Sequence, residues 1–135
     1  MGSSILNPYV SFDGNAREAM EFYQSVLGGE LKVMTFGESG MPGPGADKVM
    51  HASLNSEAGY TIMASDMPPG MEHKPGQNIS ISISGDDADR LRGYWEGLGD
   101  GATVTMPLEK QMWGDEFGAL VDRFGINWMV DITDQ

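Results

Sequence analysis

The chain has no cysteine, so disulfides and thiolate metal sites are both excluded. Basic residues are scarce: eight Lys and Arg stand against twenty Asp and Glu, for a formal net charge of −12. Nucleic-acid binding draws on clustered cations that displace counterions from phosphates, and this chain has no such cluster. The acidity reads instead as a solvated surface. No apolar run reaches the roughly 18 residues needed to cross a membrane. No basic-then-apolar leader is visible at the N-terminus either. The expectation is a cytoplasmic protein that binds neither nucleic acid nor membrane. Its 135 residues suffice for one domain with one sizeable core.

What is present is a repeat. Asp13-Gly14-Asn15-Ala16 and the helix-patterned residues to Leu27 return 72 positions later in Gly85-Asp86-Asp87-Ala88 and the residues to Leu98. Phe22-Tyr23 falls on Tyr94-Trp95, and Gly29 on Gly101. In each copy a polar turn precedes a helix, an aromatic pair lies in its last turns, and glycine ends it. Asp13 or Asn15 is placed to cap the first helix. Two copies in so short a chain imply a pseudo-twofold fold with its site between the halves.

Periodicity fills in the remaining elements. Strands are expected over 5–12, 30–36, 48–55 and 60–65, and again over 77–84, 102–107, 117–122 and 127–132. Helices are expected over 13–27 and 86–98. Hairpins turn at Ser56-Glu57-Ala58-Gly59 and at Arg123-Phe124-Gly125-Ile126, where Asp122 and Gly125 are read as turn residues. The fold class is therefore α+β: two βαβββ modules, residues 5–66 and 77–132, joined by loop 67–76 into a single domain over 5–132. They would form a curved, open, barrel-like mixed sheet with the helices outside.

Alternation assigns the faces. Leu6, Val10 and Phe12, Ile79, Ile81 and Ile83, and Met50, Ala52 and Leu54 form rows that need burial under the helices. The opposite rows carry Asn, Ser, Thr, Tyr, His and Met and would line a concave cleft suited to a small molecule. Asn7, Tyr9, His51, Met63, Gln77, Asn78, Ser80, Trp113 and Met129 are the candidate ligand-binding residues, with Tyr9 and Trp113 as a wall over the ligand. His51 is the candidate acid or base, because neutral imidazole exchanges protons near pH 7. His73, beside Glu72 in loop 67–76, reads as surface. Met34, Met41, Met63, Met67, Met71, Met106, Met112 and Met129 lie on or near the inner strands and loops, where flexible thioethers either adapt to apolar ligand shapes or, for at least half of them, fill gaps in the core.

The βαβββ–βαβββ order resembles the vicinal oxygen chelate superfamily, which includes glyoxalase I, extradiol dioxygenases, and bleomycin- and fosfomycin-resistance proteins. The Phe22-Tyr23…Leu27-Gly28 helix end and Asp122-Arg123-Phe124-Gly125-Ile126-Asn127-Trp128 carry the same likeness. Further segments are similar to its PhnB-like branch: Pro8 to Gly14, Met50-His51-Ala52-Ser53-Leu54, Ser65-Asp66, Met106-Pro107-Leu108, and Trp113 to Gly118. The resemblance implies a glyoxalase-like fold and a homodimer. Metal enzymes of the superfamily place His, Glu or Gln at four inner positions, which fall near Asn7, Met63, Asn78 and Met129 here. Amides and thioethers bind hard divalent ions poorly, so neither metal nor other cofactor is expected. Were an ion held, its ligands would come from His51, Gln77 and one of Asp131 or Glu116. The sequence thus favours a metal-free small-molecule binding protein. The alternative is a glyoxalase-like lyase or isomerase, or a transferase, working through His51. The ubiquinone-pathway methyltransferase label that some of the branch carry finds no strand–Gly-rich loop–helix unit here.

Overall fold

The computed structural model describes residues 4–40, 43, 45–68 and 71–133. The element order is β1 (Tyr9–Phe12), α1 (Ala16–Leu27), β2 (Glu30–Thr35), β3 (Val49–Asn55), β4 (Thr61–Asp66), β5 (Ile81–Gly85), α2 (Ala88–Leu98), β6 (Thr103–Lys110), β7 (Glu116–Val121) and β8 (Asn127–Ile132). The chain divides into two compact units, residues 1–74 and 75–135. Each holds one βαβββ module and one four-stranded mixed sheet, in the orders β1-β4-β3-β2 and β5-β8-β7-β6.

In the first unit β1 runs parallel to β4, with Tyr9 opposite Met63 and Phe12 opposite Asp66. The β2–β3 and β3–β4 pairs are antiparallel. Helix α1 packs on β2, β3 and β4. It buries Ala16, Ala19, Met20, Phe22, Tyr23 and Leu27 against Ala52, Leu54, Ile62 and Ala64. The apolar rows thus lie under the helix, as the alternation required. A β-bulge at Met34–Thr35 adds a residue to the phase of β3. Val49 is therefore buried at 1% exposure, and Met50, expected in that row, is only half-buried.

The second unit repeats the pattern. Parallel β5–β8 sets Ile83 opposite Val130, and β7–β8 is antiparallel. Leu91, Tyr94 and Leu98 of α2 join Ile83, Leu120, Trp128, Val130 and Ile132 in the core. Edge strand β6 outruns its expected end at residue 107 and reaches Lys110. Its pairing with β7 shifts register on both sides of Met106. Pro107 has no N–H to give a ladder and is tolerated at such an edge.

Two strand starts lie four residues inside expectation. The strands expected to begin at residues 5 and 77 start only at Tyr9 and Ile81, and Leu6 and Ile79 stay exposed. Without a partner strand for those stretches, alternation alone cannot extend a ladder. Asn15 occupies the N-cap position of α1 and its carbonyl accepts from Ala19 N, but its side chain makes no capping hydrogen bond. The N–H of Ala16 is satisfied by Oδ1 of Asp66 at 2.9 Å, and Oδ2 of the same buried carboxylate accepts from Val49 N at 2.8 Å. Asp66 thus joins the end of β4 to the start of α1 and the start of β3.

The β3–β4 and β7–β8 hairpins are built alike. Ser56 N donates to Tyr60 O and Gly59 N to Ser56 O; Asp122 N donates to Ile126 O and Gly125 N to Asp122 O. The side chain of the first residue braces each turn. Ser56 Oγ accepts from Tyr60 N at 2.9 Å, and Asp122 Oδ1 accepts from Phe124 N and Ile126 N at 2.8 and 3.0 Å. Asp122 Oδ2 also accepts the indole N–H of buried Trp128 at 2.8 Å. The turn reading of Asp122 and Gly125 stands, with an anchor to the core that the local sequence did not disclose.

Candidate functional site

The helix-free face of each sheet carries the polar rows. In the first unit this face presents Tyr9 and Ser11 from β1, Met63 and Ser65 from β4, His51 and Ser53 from β3, and Lys32 and Met34 from β2. Tyr9 is 52% exposed and His51 half-buried. The Tyr9 hydroxyl and His51 Nδ1 lie 3.1 Å apart, with ring centroids at 5.7 Å and planes inclined by 38°. Because β4 runs between β1 and β3, this hydrogen bond arches over β4 beside Met63. Met34 stands opposite His51 on β2. The structure therefore brings together three of the sequence-selected residues, Tyr9, His51 and Met63.

Asn7 does not join them. It precedes β1, and its Nδ2 donates to the carbonyl of Pro8 at 3.1 Å. His73 has more than a surface role: its Nε2 meets the carbonyl oxygen of Ser11 at 3.1 Å and ties its loop to β1.

In the second unit Met129 faces the helix-free side of β8, flanked by Asn127 and Asp131. Phe117 stands opposite Asp131. Trp113, 61% exposed in the β6–β7 loop, leans on Phe117 with ring centroids 6.4 Å apart. Gln77, Asn78 and Ser80 lie before β5 and are exposed. The carbonyls of Gln77 and Ile79 face Asn127 Nδ2 at 3.5 and 3.3 Å. Of the methionines named from the sequence, Met41 lies outside the described residues, and Met112 is fully exposed.

One group on this face escaped the sequence reading as a pair. Asp131 Oδ1 is buried and has no hydrogen-bond partner among the described residues. Burial raises the pKa of this carboxyl, and the neighbouring Asp115 carboxyl raises it further. Glu116 sits one residue from Asp115 but points to the other side. It pairs across strands with buried Ile132 and accepts a hydrogen bond from Arg92 of α2. Asp131 and Glu116, weighed together as ion ligands, therefore serve different faces.

Among the described residues no three His, Cys, Asp or Glu side chains converge tightly enough to hold a metal ion. Met63 and Met129 occupy corresponding places in the two hairpins, four residues after Gly59 and Gly125. Thioethers there, with the amides Asn7 and Asn78 off the strands, do not fit a hard divalent ion. No helix among the described residues is long and apolar enough to cross a membrane.

The family described as 3-demethylubiquinone-9 3-methyltransferase matches residues 4–131. The chain belongs to this PhnB-like family. Protein YjdN of Escherichia coli K12 is 30% identical to it, over 96% of each chain. The solved structure of protein PA1353 from Pseudomonas aeruginosa superposes with a TM-score of 0.87 at 37% identity, covering 98% of this chain and 100% of that one. A Bacillus cereus PhnB protein, described as a putative 3-demethylubiquinone-9 3-methyltransferase, shares the fold at TM-score 0.76 and 22% identity, over 96% and 100% of the two chains. Solved structures described as glyoxalase/bleomycin resistance/dioxygenase and fosfomycin-resistance proteins have the same fold. The α+β architecture read from the repeat, and the glyoxalase-like fold the resemblance implied, are thus borne out. The strand-to-helix turns, 13–15 after β1 and 86–87 after β5, contain one glycine and none. Neither is a glycine-rich cradle for a nucleotide-like cofactor.

Proposed function

We propose that this PhnB-like protein binds a small organic molecule, without a metal, on the helix-free face of its sheets. The observation that carries this reading is the first unit's open face. There a phenol, an imidazole and two thioethers (Tyr9, His51, Met63 and Met34) stand together with serine hydroxyls on a rigid sheet. Such a set offers directed hydrogen bonds beside soft apolar contact, the usual make-up of a small-molecule site. In the second unit, Trp113 on Phe117 beside Met129 offers a similar mixture.

The test is a thermal-shift screen of small polar-aromatic compounds against wild type and the variants His51→Ala and Met63→Ala. A ligand held at one hundred times its Kd stabilises the native state by about 2.7 kcal/mol. Wild type should show a clear upward shift that both variants lose. A screen in which no compound stabilises wild type, or in which both variants respond as wild type does, refutes the proposal.

A second reading has one specific observation behind it. The Tyr9–His51 hydrogen bond couples two groups that can exchange a proton. It suits a lyase, isomerase or transferase of the glyoxalase type with His51 as acid or base. Turnover lost in His51→Ala while ligand-induced stabilisation persists would favour the enzyme over the pure binder. The family resemblance also carries a homodimer into the proposal, and sedimentation analysis of the purified protein decides it.

A further inference from the structure

His51 and its neighbours allow the ligand to be described more closely, on the reading that the first unit's open face receives it. Nδ1 of His51 is engaged by the Tyr9 hydroxyl, and among the described residues Nε2 has no hydrogen-bond partner. A neutral imidazole carries one proton, on one nitrogen or the other, and the bond made at one nitrogen decides which. The pyridine-type nitrogen is a stronger base than a phenol oxygen, and the phenol O–H is a good donor. The favourable arrangement has the Tyr9 O–H donating to the Nδ1 lone pair. The ring proton then resides on Nε2, on the side of the ring away from Tyr9.

Tyr9 and His51 are held in this relation by the sheet. Tyr9 is fixed by its register with Met63 on β4, and His51 follows directly from the bulge that resets β3. Neither rotamer is left to a mobile loop. Met63 and Met34 flank the pair and supply apolar contact without a competing hydrogen-bond acceptor of comparable strength.

We infer that Tyr9 is a positioning residue that fixes the proton of His51 on Nε2, so that this face presents a hydrogen-bond donor and selects ligands carrying an acceptor oxygen on an aromatic or apolar frame. Aryl ketones and aryl carboxylates have that chemistry; aryl-alkyl amines do not. Serine hydroxyls nearby can donate or accept and so do not discriminate. The Nε2–H is the group that does.

Long-range proton–nitrogen NMR of the histidine rings tests this on the intact protein at about pH 8, above the imidazole titration range. His51→Gln identifies the His51 signals against those of His73. In wild type Nε2 should show the protonated and Nδ1 the unprotonated signature. Tyr9→Phe should move the ratio of the two tautomers toward parity by about fivefold, the equivalent of one neutral hydrogen bond. A proton on Nδ1 in wild type, or a ratio unchanged in Tyr9→Phe, overturns the inference. Acetophenone and benzoate should shift the Nε2 signal, and benzylamine should not. A response to benzylamine alone overturns the assigned ligand class. If no probe shifts any signal, the binding reading of this face fails, while the tautomer measurement still decides the part played by Tyr9.

Discussion

Replacing Asp122 by Asn isolates the anchor beneath the second hairpin. Asp122 is 4% exposed and Trp128 1% exposed, so water does not substitute for lost partners. Its carboxylate serves three N–H groups: those of Phe124 and Ile126 through Oδ1, and the Trp128 indole through Oδ2. An asparagine can keep its oxygen toward the two turn amides, but its NH2 then meets the indole N–H, donor against donor. A hydrogen bond to a charged group contributes about 1.5–3 kcal/mol, and a buried donor left unsatisfied costs about 1–3 kcal/mol. Asp122→Asn should therefore cost about 3 kcal/mol, a large part of the roughly 5–15 kcal/mol that stabilises a domain. Trp128→Phe removes the donor that the amide would confront. In that background Asp122→Asn should cost only about 1 kcal/mol, leaving a coupling of about 2 kcal/mol between the two sites. The assay is urea unfolding followed by far-UV circular dichroism, extrapolated linearly to water for all four members of the cycle. If Asp122→Asn costs as much in the Trp128→Phe background as it does with the indole in place, the donor-conflict argument is wrong.

Other consequences follow from local geometry. Gly29→Ala would place a Cβ 2.0 Å from Asn55 O and 2.6 Å from Ser56 Cα at a φ of +98°, so it should cost more than about 3 kcal/mol. Gly59→Ala, at a φ of +92° with open space around it, should cost only about 1–2 kcal/mol; thermal unfolding of the two variants compares them directly. Asp66→Ala breaks two buried hydrogen bonds at the start of α1 and should cost about 3–4 kcal/mol. In that variant amide exchange should accelerate at Ala16 and Val49 before the rest of the core. Asp131 releases its proton near 3.8 in an unfolded chain and higher in the folded one, so between the two values the native state binds more protons. Its contribution is full below 3.8 and is lost as pH rises through the folded value. Asp131→Asn should flatten the pH dependence of the melting temperature over that interval, and an unchanged profile would rule out this origin.

The fold was legible wherever the signal was local. The helix ends at Leu27 and Leu98, the Ser56–Gly59 turn, the turn roles of Asp122 and Gly125, and the β8 span all stand in the sequence as they do in the structure. Legibility failed where a partner lay far along the chain. Asp66 seals a helix fifty residues back, and no local pattern announces it over Asp13 or Asn15. The start of β1 depends on where β4 lies beside it, and Ile5 and Leu6 look strand-like by composition alone. The bulge that buries Val49 instead of Met50 depends on the pairing of β2 with β3, which alternation within β3 cannot show. At the candidate site, Tyr9, His51 and Met63 were identifiable by residue type and face. Their connection through a bond across β4 was not, because it needs the 1-4-3-2 strand order. The Asp115–Asp131 association was hidden similarly, in the pairing of β7 with β8.

The parallel β1–β4 pairing has a consequence for biosynthesis. On the ribosome, β1 emerges some fifty residues ahead of the strand that completes it, an interval of roughly 3–10 s at ordinary elongation rates. Throughout that wait its backbone amides and carbonyls are open to any passing extended segment, including the same stretch on a neighbouring nascent chain. The second module repeats the exposure when β5 precedes β8. Each half must therefore assemble in one late event once its last strand arrives, and slow codons just after β4 would shield the first half by letting it close before the second is made.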